Sequence, residues 1–176
     1  MTMLLNPQLF VLPSWEIKTI GNANLTYGSL SNKGLISMAK TIEKYHKLGT
    51  ICGLDLGCGD GELIYHLQNA LPDSAWEGVE ISEHRVNSQM RDVTIWQGDM
   101  LDENFRPYNV LHADNLCLDD AIAEKLEKKI ATEFSGLYIT YRTPECVDFI
   151  KVAERLDTVV METTWTNHPI QIWRLF

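Results

Sequence analysis

The chain has 176 residues, 45% of them hydrophobic, and its 15 Lys and Arg against 24 Asp and Glu give a formal net charge of −9. That is enough apolar material for one enzyme-sized domain, and the negative charge argues against nucleic acid or an anionic membrane as a docking surface and for basic or neutral partners. Residues 1–7 lack a basic start and are interrupted by Asn6 and Pro7, so no secretion signal is expected, and no apolar run approaches the roughly 18 residues of a spanning helix.

The predicted elements alternate. Leu35, Met38, Ala39, Ile42 and Tyr45 recur at helical spacing, and a buried strand then runs from Ile51 to Leu56 into Gly57, Gly59 and Gly61. Leu63, Ile64, Leu67 and Leu71 mark the next helix, which Pro72 stops. A second strand spans 75–81, and Ser82 opens a third helix carrying Val86 and Met90. Strands follow at 93–97 and 110–113. Asp119 and Asp120 start a helix with Ile122, Leu126 and Ile130 inward and a Glu124 to Lys128 pair outside. A fifth strand covers 137–141, Thr143, Pro144 and Glu145 open a helix running to Leu156, and residues 158–165 and 170–176 form a hairpin turning at 166–169.

Five strands interleaved with helices predict an α/β, doubly wound, mostly parallel sheet, and the hairpin adds an antiparallel strand to make seven. Residues 1–30 are expected to form an extension over the pocket and 31–176 a single domain. Cys52, Cys58, Cys117 and Cys146 have no metal-ligand spacing and read as reduced thiols of a cytoplasmic protein, and the five scattered histidines predict no metal site.

The glycine turn carries the chemistry. A dinucleotide fingerprint needs its third glycine where Glu62 stands, and a carboxylate there repels a pyrophosphate. No P-loop Gly-Lys-Ser/Thr follows. Asp55, two residues before the first glycine, aims an acid at the ligand, which suits a sulfonium and an ammonium. The spacing therefore fits S-adenosylmethionine, held by Asp55, Gly57, Cys58, Gly59 and Gly61. Glu80 with Ile81 ends the second strand about twenty residues on, placed to accept ribose hydroxyls. Asp99 can take the adenine amino group while Met100 packs on the ring. At the end of the fourth strand, Asp114 and Asn115 are the groups able to orient and deprotonate an acceptor, with Leu116 and Leu118 as an apolar wall. Trp165 is the candidate channel wall from the hairpin.

The order Thr26-Tyr27-Gly28, Asp55 to Gly61, Gly78-Val79-Glu80, Gly98-Asp99, Asp114-Asn115-Leu116 and Thr164-Trp165-Thr166 with Pro169 resembles the class I methyltransferases, and within them the disruptor-of-telomeric-silencing type of protein lysine methyltransferase. The resemblance covers roughly residues 26–176. It implies that Tyr27 covers the cofactor and joins the catalytic residues, and that Asp114 and Asn115 line a lysine channel. The implied substrate is a protein or basic peptide. The differences, Ser29 after Tyr27-Gly28 and Asp114 for the first of two asparagines, fall on the acceptor side. The alternatives are methylation of a small molecule or nucleic-acid base, or a non-catalytic cofactor-binding module.

Overall fold

The computed structural model describes residues 5–47 and 49–176, so the start of the stretch read for a secretion signal, residues 1–4, lies outside it. A short 3-10 turn, Pro7–Phe10, and helix α1 (Ser14–Ile20) precede α2 (Asn32–Tyr45). The Ser31 hydroxyl caps α2 by accepting from the Gly34 N–H at 3.2 Å, and Leu35, Met38, Ala39 and Ile42 are its buried stripe. Then come β1 (Ile51–Leu56), α3 (Glu62–Ala70), β2 (Ser74–Glu80), α4 (Glu83–Asn87), β3 (Thr94–Gln97), β4 (Val110–Ala113), α5 (Asp120–Glu133), β5 (Gly136–Thr140), α6 (Val147–Val152), β6 (Ala153–Glu162) and β7 (Asn167–Leu175).

These strands form one seven-stranded sheet in the order β3-β2-β1-β4-β5-β7-β6, parallel except for the hairpin β6–β7, which is antiparallel within itself and to β5. Neighbouring strand residues point to opposite faces, so each face has its own core. On one, Ile51, Val110, Leu137 and Ile139 meet Met38 and Ile42 of α2 and Ile64 and Leu67 of α3. On the other, Leu54, Leu111 and Tyr138 meet Leu126 and Ile130 of α5 and Phe149 of α6. Strand order reverses between β1 and β4, whose carboxyl ends open a crevice where this class of sheet binds ligands.

Four local expectations are corrected. The third helix ends at Asn87, leaving Met90 beyond it and half exposed. The helix expected to reach Leu156 spans only Val147–Val152, because residues from Ala153 on join the ladder against β7. Its start is set at a distance: the Glu127 carboxylate accepts from the N–H groups of Glu145 (2.9 Å) and Cys146 (2.7 Å). The hairpin turns at 163–166, where the Thr163 hydroxyl oxygen accepts from the Thr166 N–H at 3.0 Å. Pro169 sits inside β7, beyond the last β5 pairing at Gln171, where its missing N–H breaks no bond to β5. On α5 the ion pair at i,i+4 is Lys129 to Glu133, at 2.8 Å.

Among the described residues no helix is long and apolar enough to cross a membrane. The β1–β2 junction is tight: a Cβ on Gly53 would stand 2.3 Å from the buried Trp76 ring. Gly53→Ala is expected to lose about 1–3 kcal/mol of stability, read as a lower urea midpoint at unchanged slope.

Candidate active site

β1 delivers the chain into three glycines that do different jobs. Gly57, Gly59 and Gly61 have φ of 81°, 60° and 79°, the left-handed region open to glycine. The N–H groups of Gly57 and Cys58 donate to the Val79 carbonyl at 2.8 and 3.1 Å, which folds the turn onto β2. A Cβ on Gly57 would meet nothing within 4 Å, because this residue borders a cavity of about 320 Å³. A Cβ on Gly59 would strike the Tyr27 ring at 2.4 Å, and one on Gly61 would strike Val93 at 2.6 Å. Only Gly57 of the three lines the cavity. The other two make room for protein.

The β2 exit supplies the second wall. Glu80 is buried, and its two oxygens accept from the N–H groups of Gly59 and Ser82, each at 2.9 Å, with Arg85 Nη1 3.8 Å away. Burial raises the Glu80 pKa, while Arg85 and the two backbone N–H groups pull it back. Ile81, Asp99 and Met100 complete this side. One Asp99 oxygen accepts from the Leu101 N–H at 2.9 Å, which orients the carboxylate at the end of β3.

The β4 exit is where the expected residues separate. Asp114 lines the cavity, with one buried oxygen, Oδ2, that has no hydrogen-bond partner. Burial pushes its carboxyl up to about 6 against the pull of His112, with Asp55 adding repulsion and the Leu116 N–H and His168 opposing it. The Asn115 side chain, expected beside Asp114 as an acceptor-orienting group, is committed to the scaffold. Its oxygen accepts from the Thr140 hydroxyl (2.8 Å) and the N–H groups of Tyr141 (3.2 Å) and Arg142 (3.0 Å), while its amide donates to the Tyr138 hydroxyl at 3.3 Å. It braces the end of β4 to the end of β5.

Asp55, expected to face the ligand, instead bonds His112 Nδ1 at 2.7 Å, across the β1–β4 pairing that sets these residues side by side. His112 Nε2 in turn lies 3.4 Å from the Tyr141 hydroxyl. The Cys58 side chain packs into the core against Gly78, and burial raises its thiol pKa. Thus Asp55, Cys58, Gly59 and Gly61 shape the cavity from behind, while Tyr27, Gly57, Glu80, Ile81, Asp99, Met100, Asp114 and Asn115 line it.

The cover was the part least visible in the pattern. Thr19 and Ile20 of α1, then Ala23, Asn24 and Tyr27, close the cavity from above. Buried Glu16 anchors α1 by accepting from the Ser82 hydroxyl (2.6 Å) and the His84 N–H (3.1 Å). Arg85, stacked 5.1 Å from the Tyr27 ring centre, donates to the carbonyls of Leu9 and Leu25. Asn24 and Asp119 exchange two hydrogen bonds, of 2.9 and 3.0 Å, joining cover to α5. Trp165 stands apart from the cavity lining: it packs on Gly28 and beside Tyr141 and His168.

The Asp114 environment has a stability signature. A carboxyl raised from an ordinary 3.8 to about 6 stabilises the fold below pH 4 and loses that contribution as pH rises through 6. Asp114→Asn is therefore expected to gain stability relative to the native chain between pH 4 and pH 7, by up to about 3 kcal/mol, in thermal or urea melts at the two pH values. Asn115→Ala, which strands buried donors, is expected to cost about 2–4 kcal/mol at either pH.

Among solved structures, magnesium protoporphyrin IX methyltransferase (ChlM) from Synechocystis PCC 6803 with bound SAH superposes with a TM-score of 0.64 at 15% identity, covering 81% of each chain. The same enzyme with bound SAM gives 0.63 at 14% identity over 98% of this chain and 99% of the other. TrmN from Thermus thermophilus gives 0.58 at 11% identity over 80% of this chain and 49% of that one. These likenesses show a class I methyltransferase fold and add no weight to the narrower resemblance to the disruptor-of-telomeric-silencing enzymes. No curated protein matches the chain. The family model described as methionine biosynthesis protein MetW matches residues 39–134, more than half of the sequence, from within α2 to the end of α5. By that match, the chain belongs to the MetW family, on a class I methyltransferase fold.

Proposed function

We propose that this protein is an S-adenosylmethionine-dependent methyltransferase acting on a small molecule. The observation that carries the cofactor is the bare backbone of Gly57 beside two carboxylates, Glu80 and Asp99, in a cavity whose one lining cation among the described residues, Arg85, is already engaged by protein. Such a lining repels phosphates and accepts the hydroxyls, amino groups and positive charge of S-adenosylmethionine. Glu80 has lone pairs left for ribose, Asp99 for the adenine amino group, and Ile81 and Met100 offer apolar contact to the ring. S-adenosylmethionine supplies a methyl group on a positively charged sulfur. ChlM, similar in fold, was crystallised with SAM and with SAH, which supports the same reading.

The chain's own residues then exclude water and handle a proton. α1 and Tyr27 cover the cavity, and burial together with Asp60, Asp55 and Glu80 keeps the Tyr27 phenol protonated. Asp114 is the group placed to take a proton from an acceptor, with a carboxyl poised near neutrality. A small acceptor is supported over a protein lysine by three things: the cover clamped to α5 through Asn24, the family's description as a methionine biosynthesis protein, and the porphyrin substrate named for ChlM.

Calorimetric titration with S-adenosylhomocysteine tests the cofactor. Heat with this ligand and none with NADH is expected, and the reverse overturns the reading. Gly57→Val, which puts a branched side chain into the cavity, is expected to weaken S-adenosylhomocysteine binding more than tenfold, about 1.4 kcal/mol, on top of its strain at positive φ. Incubation of a lysate with methyl-labelled S-adenosylmethionine and the protein should place label in small molecules. Label confined to protein would reassign the acceptor.

A further inference from the structure

Resting on the reading above, we propose that the acceptor is an amine carried on an apolar body, and that the cavity discriminates against carboxylate acceptors. Three observations converge on this. The buried Oδ2 of Asp114 lacks a donor, and a buried acceptor without a partner is costly until a ligand supplies an N–H. The anions lining the cavity are Glu80, Asp99 and Asp114, with Asp55 behind them, and among the described residues the single lining cation is Arg85. Arg85 gives its Nε to the Leu9 carbonyl at 3.1 Å and its Nη2 to the Leu25 carbonyl, and its Nη1 faces Glu80. Among the described residues no lining cation is left to hold a carboxylate in place of its hydration.

The side of the cavity beyond Asp114 is different in character. Ile20, Leu118 and Ile122 present hydrocarbon from α1 and the start of α5, which sets the body of the acceptor as apolar. The start of α5 carries Asp119 and Asp120, so this helix end is no anion site either. A net charge of −9 favours the approach of a cation over that of an anion.

The step balances on these groups. One proton passes from the ammonium to the Asp114 carboxylate and frees the nitrogen lone pair. The nitrogen forms one N–C bond to the methyl carbon as the C–S bond breaks, and the electron pair of that bond stays on sulfur as a neutral thioether. No oxidant or further reactant is needed.

The test uses the full chain saturated with S-adenosylhomocysteine and reads binding, not turnover. Benzylamine and benzoate share a skeleton and differ in charge. At pH 7.5 benzylamine is expected to bind at least tenfold tighter than benzoate, and this preference should disappear in Asp114→Asn while S-adenosylhomocysteine affinity stays within tenfold. Benzoate binding as tightly as benzylamine, or an amine preference that survives Asp114→Asn, overturns the proposal and leaves the cofactor reading intact. Absence of heat with S-adenosylhomocysteine itself overturns both.

Discussion

One buried pair, the Glu80 carboxylate with the Arg85 guanidinium, ties together three of the parts that form the cavity: the glycine turn, the β2 exit and the cover. Glu80 accepts from the glycine turn at Gly59 and from Ser82 at the start of α4, and Arg85 reaches from α4 to the carbonyls of Leu9 and Leu25 in the cover. A buried ion pair of this kind contributes little net stability, because desolvation offsets its attraction. Its consequence is geometric. Turn, β2 exit and cover are held in one arrangement, with Tyr27 wedged between Gly59 and Arg85. The same pair removes the lining cation from contact with a ligand, so the electrostatic character of the cavity follows from how the scaffold is held.

A second buried set organises the opposite wall. Asp55 and His112 are register partners on β1 and β4, and their 2.7 Å hydrogen bond crosses the strand pair at the point where sheet order reverses. Asn115 repeats the device one step further out, gathering the ends of β4 and β5 around its side-chain oxygen. Between the two braces Asp114 is left with an unsatisfied buried oxygen, and burial raises its pKa. Stability and chemistry are opposed at this residue. Neighbours on both sides are satisfied by the scaffold, and the one that is not lines the cavity.

Helices α2 to α6, the seven strands including the terminal hairpin, and the crevice at the carboxyl end of β1 were legible from apolar periodicity and from the glycines, because those signals are local, whereas α1 was not read. The third helix and α6 were read too long for the same reason. Periodicity does not report that Ala153 will pair with Leu175, twenty-two positions away, or that Glu127 will supply the N-terminal hydrogen bonds of α6. Arg85, Glu16 and Asn24 carried no motif. What marks them is burial of a charge or amide beside a distant partner, which a linear pattern does not contain.

The sequence by itself determined the class of sheet, the placing of acids at the ends of β1 to β4, and a glycine spacing that departs from the dinucleotide fingerprint at Glu62, whose carboxylate the fold pairs with Arg91 and His66 away from the cavity lining. Which of those acids lines the cavity was decided only by the tertiary structure. Asp55 and Asp114 are both aspartates at adjacent strand ends, yet one is hydrogen-bonded to a histidine across the pairing and the other has a buried oxygen without a partner. A residue's type is written in the chain, whereas its free lone pairs are what remain after the fold has used the rest.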